Sequence, residues 1–216
     1  MKLGLVLVCA GKGKRLKVDK PVLQIAGKPL FYHTYNAFKS VKAIEQIVMV
    51  MRSEHIKKAA TLIDDTRIWY VEGGEFRRDS VLNGLYALDK KITHVLIHDG
   101  ARPLVTRMVI DNVINGLKKH NAVICAVKAR DTLKRVEGKF VKEIVKREDI
   151  VGVQTPQGFK KDLILNAYEK SGREDFYDDA QLVEKMGGKV LVVDGDIRNI
   201  KITYPEDVEL AEKLIA

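Results

Sequence analysis

The sequence predicts an α/β fold: a Rossmann-like, mainly parallel twisted sheet with helices on both faces and a protruding β-hairpin arm. Three observations carry that expectation. Short apolar runs of strand length recur along the chain, helically patterned segments separate them, and one stretch alternates apolar and polar residues around a Glu-Gly pair. At 216 residues the chain is expected to form one domain, 1–216, long enough to bury a good core.

The first run, Leu3–Cys9, is apolar almost throughout, as a strand buried on both faces must be. The spacing then predicts a helix over Pro29–Lys39, with Pro29 suited to a first turn where its missing N–H is harmless. A strand at Gln46–Met51 precedes a helix at Glu54–Ile63, and a strand at Arg67–Val71 precedes a helix at Asp79–Leu88. The strand His94–His98 is followed by a helix at Thr106–Lys119, for which Thr106 is a suitable N-cap. After a strand at Ala122–Val127 the pattern breaks. Residues 130–147 alternate around Glu137-Gly138 and no helix follows them, which reads as a hairpin arm spanning about 128–148. Helices at Lys161–Ser171 and Asp178–Met186, with Asp178 as N-cap, lead to a strand at Lys189–Val193. A less regular strand at Asn199–Thr203 and a helix at Pro205–Ile215 complete the series. On such sheets ligands sit beyond the carboxyl ends of the strands.

Composition narrows the classes of function. Hydrophobic residues make up 46% and charged residues 31%, with no 18-residue apolar span and no charged-then-apolar leader, so a cytoplasmic protein with no membrane partner is expected. Cys9 and Cys125, the only cysteines, lie in apolar strands without metal-ligand spacing and read as small buried side chains. The net charge of +9 comes from two places. Residues 10–20 carry five basic side chains and one acidic, and residues 128–147 carry eight basic and three acidic. Nucleic-acid surfaces show broader basic stripes with interleaved aromatics, and aromatics here are only 6%. Two local foci fit small anionic substrates better than a nucleic acid.

The first focus is the richest stretch of the chain. Directly after the first strand, Gly11 and Gly13 are followed by, and interleaved with, Lys12, Lys14, Arg15, Lys17 and Lys20. Glycines let backbone amides approach a ligand, and amides with nearby cations make a polyphosphate site. No window supplies the Walker pattern. A dinucleotide fingerprint would need glycine where Leu16 stands and an acidic residue about 20 positions on, where Phe31, Tyr32 and His33 lie instead. A nucleotidyltransferase loop fits these residues; a strand-to-helix turn with solvated lysines is the alternative reading.

Four further segments fall at expected strand ends or turns: Gly73-Gly74-Glu75-Phe76-Arg77-Arg78-Asp79-Ser80-Val81, His98-Asp99-Gly100-Ala101-Arg102-Pro103, Gln154-Thr155-Pro156-Gln157-Gly158-Phe159 and Asn199–Asp207. With Cys9–Arg15 and Lys20 they resemble the 2-C-methyl-D-erythritol 4-phosphate cytidylyltransferase family along essentially the full chain. The resemblance implies a reaction in which the phosphate of a polyol phosphate attacks the α-phosphorus of CTP and pyrophosphate leaves. The nucleophile is already anionic, so catalysis would rest on alignment and on placed cations. A related enzyme acting on ribitol 5-phosphate is the nearest alternative, and the Arg130–Arg135 stretch favours the methylerythritol acceptor.

By the same resemblance, Arg15, Lys20 and Lys201 are the catalytic cations. Ala10, Gly11, Gly13, Gly74, Glu75, Ser80, Asp99 and Ala101 would bind CTP, and Asp99, Arg102, Thr132, Arg147 and Thr155 would bind the acceptor. Mg2+ or another divalent cation would be held mainly by the CTP phosphates, with Asp99 as the candidate protein ligand. The arm would cross to a second subunit of a homodimer, placing Thr132 and Arg147 in trans. Four positions depart from the family pattern: Cys9 for Ala, Glu75 for Asp, Pro21 for Gln, and Tyr177 where Thr is common.

Overall fold

The computed structural model describes residues 1–11, 13, 16, 19–172 and 176–215. Arg15 therefore lies outside the described residues. Among those described, a seven-stranded sheet is built from β1 (Leu3–Val8), β4 (Ile44–Met51), β5 (Ile68–Glu72), β6 (His94–Asp99), β7 (Ala122–Lys128), β10 (Val151–Lys160) and β11 (Leu191–Asp194). The order across it is β11-β7-β10-β6-β1-β4-β5. All pairings are parallel except those of β10, which runs antiparallel to both neighbours.

Strand β1 alternates within its apolar run. Leu3, Leu5 and Leu7 pack on one face with α1 (Leu30–Lys39), α2 (Ser53–Leu62) and α4 (Arg107–Leu117). Val6 packs on the other face with α3 (Arg77–Tyr86), α5 (Lys161–Lys170) and α6 (Ala180–Lys185). Helices thus cover both faces, as the alternating pattern requires. Each large apolar side chain buried this way contributes about 1.5–3 kcal/mol relative to exposure. Thr106 caps α4, its Oγ1 accepting from the Val109 N–H, and Pro205 opens α7 (Pro205–Ile215). Both cysteines are buried, and burial pushes each thiol up to about 12, which keeps them protonated.

Strand β10 has no counterpart in the sequence expectation, because Gly152, Pro156 and Gly158 read as turn residues. The structure accommodates the proline at an irregularity. Pairing with β7 breaks between Val153 and Gln157, and pairing with β6 begins only at Gln157, so no ladder bond is asked of Pro156. A short ribbon of β2 (Gln24–Ile25) and β3 (Lys28–Pro29) was also hidden, and it makes Pro29 the residue before α1 rather than part of its first turn. The strand expected at Asn199–Thr203 is absent; this segment is extended loop, held by the Ile202 N–H donating to the Ala101 carbonyl at 2.8 Å.

The arm forms as expected. Strand β8 (Leu133–Glu137) pairs antiparallel with β9 (Phe140–Val145) as a separate sheet, turning through Gly138 at φ 60°, which glycine tolerates without strain. Val136, Val141 and Ile144 lie exposed on it, and Phe140 is 81% exposed.

Candidate active site

A pocket of about 700 Å³ opens where the chain reverses direction across the sheet. From β1 the order runs outward through β4 to β5 and then returns to β6 on the other side, and ligands bind at such switch points. The carboxyl ends of these four strands supply Val8–Gly11, Arg52, Glu72–Gly74 and Asp99–Ala101 to its wall. Lys20 and Lys201 close it from two loops, and Arg77 and Ser80 come from the start of α3.

One wall of the pocket is built by close backbone approach. Gly73 lies so near Ala10 that a Cβ on it would come within 2.3 Å of the Ala10 Cβ, so only glycine fits there. The Ser80 hydroxyl accepts the Gly74 N–H at 3.1 Å and donates to the Phe76 carbonyl, which shapes the turn into α3. Phe76 N–H is in turn capped by Asp79 Oδ2 at 3.2 Å.

Asp99 is the electrostatic centre. Its Oδ1 accepts from Arg77 Nε at 3.0 Å and its Oδ2 from Lys201 Nζ at 2.7 Å. Burial pushes the carboxyl upward, but Arg77, Lys201 and Arg102 outweigh burial and hold it well below the usual carboxylate range, so it is ionised. Lys20 Nζ donates to the Ile202 carbonyl at 2.7 Å, next to Lys201. Two loops distant in sequence thereby bring two cations to one side of the pocket.

Beneath the pocket lies a neutral support. Thr155 Oγ1 accepts the Asp99 N–H at 3.1 Å and lies 3.0 Å from His98 Nδ1, while His98 Nε2 lies 3.1 Å from the Arg102 carbonyl. The carbonyl requires Nε2–H as donor, and with His98 neutral the threonine hydroxyl donates to Nδ1. Burial lowers its pKa to about 4.

Of the residues named from sequence, Ala10, Gly11, Lys20, Gly74, Glu75, Ser80, Asp99, Ala101 and Lys201 share this pocket. Gly13 has φ 61° and lies outside the lining. Arg102 runs below it, with Nη1 donating to the Asn199 carbonyl at 2.7 Å, and burial lowers its pKa. Thr155, expected against the acceptor phosphate, is buried and its hydroxyl is committed to Asp99 and His98. Thr132 and Arg147 line a separate hollow at the base of the arm, where Arg147 Nη1 donates to the Arg130 carbonyl at 2.7 Å. Tyr177 is fully exposed.

Sequence reasoning missed Arg52 and Arg77. Arg77 stood inside a quoted motif but received no role; its partner Asp179 had no signal beyond a helix start. Asp19, Glu54 and His55 bring possible ligand atoms within 4.8 Å of one another. Arg52 already bonds both Asp19 and Glu54, which makes the group an ion-pair cluster.

The pocket thus joins two cations, an ionised carboxylate and a backbone-lined wall, a set whose chemistry suits a polyanion. A family model for 2-C-methyl-D-erythritol 4-phosphate cytidylyltransferase (IspD) matches residues 3–216. The chain belongs to this family. It is 40% identical over 219 residues to the Bacillus mycoides protein of that name, covering 98% of this chain and 96% of the relative. The Clostridium botulinum protein is likewise 40% identical, over 99% of this chain and 97% of its own length. Among solved structures, 4-diphosphocytidyl-2C-methyl-D-erythritol synthase from Anaerococcus prevotii superposes with a TM-score of 0.90 at 34% identity, covering 99% and 95% of the two chains. The Thermus thermophilus cytidylyltransferase gives 0.81 at 31% identity, with 97% of each chain covered. The family and the α/β sheet expected from the motifs are thus both established.

Proposed function

We propose that this protein transfers the cytidylyl group of CTP to 2-C-methyl-D-erythritol 4-phosphate in isoprenoid-precursor synthesis. An oxygen of the acceptor phosphate bonds to the α-phosphorus, the bond from that phosphorus to the bridging oxygen breaks, and pyrophosphate leaves with the electron pair. The observation that carries this reading is the convergence of Lys20, Lys201 and ionised Asp99 with the Ala10–Gly73–Ser80 wall in one pocket. Cytosine and ribose lie on the wall made by Ala10, Gly11, Gly74, Glu75, Ser80 and Ala101. Lys20, with Arg15, meets the charge that develops on the triphosphate, and Lys201 serves the attacking phosphate. Asp99 accepts from an acceptor hydroxyl, and Thr155 acts through Asp99 by fixing its backbone N–H.

A divalent cation such as Mg2+, bound with the CTP phosphates, would supply charge neutralisation for the leaving pyrophosphate. Asp99 Oδ1 and Oδ2 each already accept a cationic donor, from Arg77 and Lys201, which supports a cation held mainly by the CTP phosphates, while each oxygen keeps a further lone pair for an acceptor hydroxyl. The exposed Val136, Phe140, Val141 and Ile144 support a homodimer formed through the arm, with Thr132 and Arg147 serving the neighbouring subunit's acceptor. No described helix is long and apolar enough to cross a membrane; a cytoplasmic site of action is part of this proposal.

The test is pyrophosphate release from CTP, UTP, ATP and GTP with methylerythritol 4-phosphate or ribitol 5-phosphate. Turnover is expected with CTP and methylerythritol 4-phosphate. Activity confined to ribitol 5-phosphate would overturn the acceptor while leaving the reaction class intact.

A further inference from the structure

We propose that Asp179 is a positioning residue for this reaction: buried outside the pocket, it orients Arg77, which in turn holds the carboxylate of Asp99. The inference rests on the functional reading above.

The geometry is that of a planar fork with every tine engaged. Arg77 Nη1 and Nη2 donate to Asp179 Oδ1 and Oδ2, both at 2.8 Å, and Nε donates to Asp99 Oδ1 at 3.0 Å. A guanidinium is rigid and flat, so fixing two nitrogens fixes the direction in which the third donates. Asp179 is itself pinned, because the Tyr168 hydroxyl of α5 donates to its Oδ1. Asp179 is fully buried and is not part of the pocket lining, so it has no route to a substrate.

The next residue repeats the tie. Arg78 Nη2 donates to the Tyr168 carbonyl at 3.3 Å and to Ser171 Oγ at 3.4 Å. Two consecutive arginines therefore bolt the first turn of α3 to the end of α5 and the start of α6. That turn also carries the nucleotide wall, so the same contacts set the distance between Gly74–Ser80 and Asp99. Without Asp179, Arg77 would be free to swing toward the pocket's anions, and among the described residues Asp99 would keep Lys201 as its one aligned side-chain donor.

The experiment uses the full chain and measures kcat and KM for each substrate. Asp179→Asn keeps the side-chain shape and removes the charge. It is expected to lower kcat/KM for the acceptor by roughly tenfold to a hundredfold, the range of a lost charge-assisted hydrogen bond, with KM for CTP within about threefold. Tyr168→Phe should move the same parameter by less. Because Asp179 acts through Asp99, a chain with both Asp179→Asn and Asp99→Asn should be no slower than Asp99→Asn alone. Should Asp179→Asn fail to fold, Tyr168→Phe and Arg77→Lys carry the same cycle against Asp99→Asn. Losses that multiply, or a lowered Tm with unchanged kinetics of the folded protein, would overturn the positioning role alone. A wild-type chain that releases no pyrophosphate would overturn the functional reading and this inference with it.

Discussion

The pocket and the arm both gather basic side chains, yet they use that charge in opposite surroundings. In the pocket, Arg77 and Lys201 face the buried carboxylates of Asp99 and Asp179. Removing one partner of such a pair strands a buried charge, typically at about 3–5 kcal/mol. On the arm, Arg135 pairs with Glu143 and Lys142 with Glu137, all of them well exposed. Such pairs are worth about 0–1 kcal/mol. Beside them Val136, Phe140, Val141 and Ile144 face solvent in place of a core. The pocket is thus organised by its own chain, while the arm leaves its apolar side chains exposed.

The sharpest separation comes from single cations. Lys20→Ala should lower kcat by roughly 10²-fold or more with the fold retained, since a cation aimed at transition-state charge is lost. Lys14→Ala, in the same basic run, should change little. Steady-state kinetics and circular dichroism check both. Equal losses would mean that diffuse charge alone matters here and that the pocket is no more ordered than the arm.

The arm is tested by mixing chains. Arg147→Ala should cost about 10-fold or more in acceptor kcat/KM, the scale of one charge-assisted phosphate contact. When an Arg147→Ala chain is exchanged with a Lys20→Ala chain, half the dimers pair the two, and each mixed dimer has one intact site. Activity should recover toward about a quarter of wild type. A mixture as inactive as its parents, with exchange shown by mass spectrometry, would place the arm's cations in their own chain's service.

What could be read from the sequence divides along the same line. Leu3–Cys9 and Glu137-Gly138 are local patterns, and each formed where its period or its turn residues predicted; α3 likewise formed, beginning at Arg77 rather than at the expected Asp79. Nine of the named site residues fall in one pocket because loops at strand ends are set by the sheet. The failures are non-local. Strand β10 was hidden because Pro156 is harmless only at an irregularity whose position depends on β6 and β7. Thr155 carries no mark of which way its hydroxyl turns until His98 and Asp99 are beside it. Arg77 needs a partner 102 residues away before its role can be seen.

Acid should reach the pocket's support before it reaches the carboxylates. His98 is neutral in the fold, with a pKa lowered from 6.5 to about 4 by burial, which outweighs the hydrogen bonds to Arg102 and Thr155. The unfolded chain takes up a proton near pH 6.5 that the folded chain refuses until about 4, so stability falls as pH falls through that window. One such group contributes about 3 kcal/mol in all. Asp99, depressed in the fold, adds its loss only below the unfolded carboxylate value near 4. Urea titrations from pH 7 to 4 should show His98→Gln with a shallower slope than wild type by about one proton. An unchanged slope would mean that His98 is charged in the fold.

The smallest effect belongs to the arm's surface charge. Arg135 Nε bonds Glu143 Oε1 across β8 and β9, but both side chains are more than half exposed. Water and salt screen such a pair, and holding two long side chains in register costs entropy, so the net gain is small. Arg135→Ala and Glu143→Ala should each change stability by less than about 1 kcal/mol. Their coupling in a double-mutant cycle should fade as ionic strength rises from 0.05 to about 0.5 M. Acceptor kcat/KM should not move. A coupling above about 2 kcal/mol that survives salt would mean that this pair is desolvated in solution, by a neighbour seated over the charged side of the arm as well as its apolar one. That result would tie the arm's charges, and not only its apolar side chains, to the proposed contact with a second subunit.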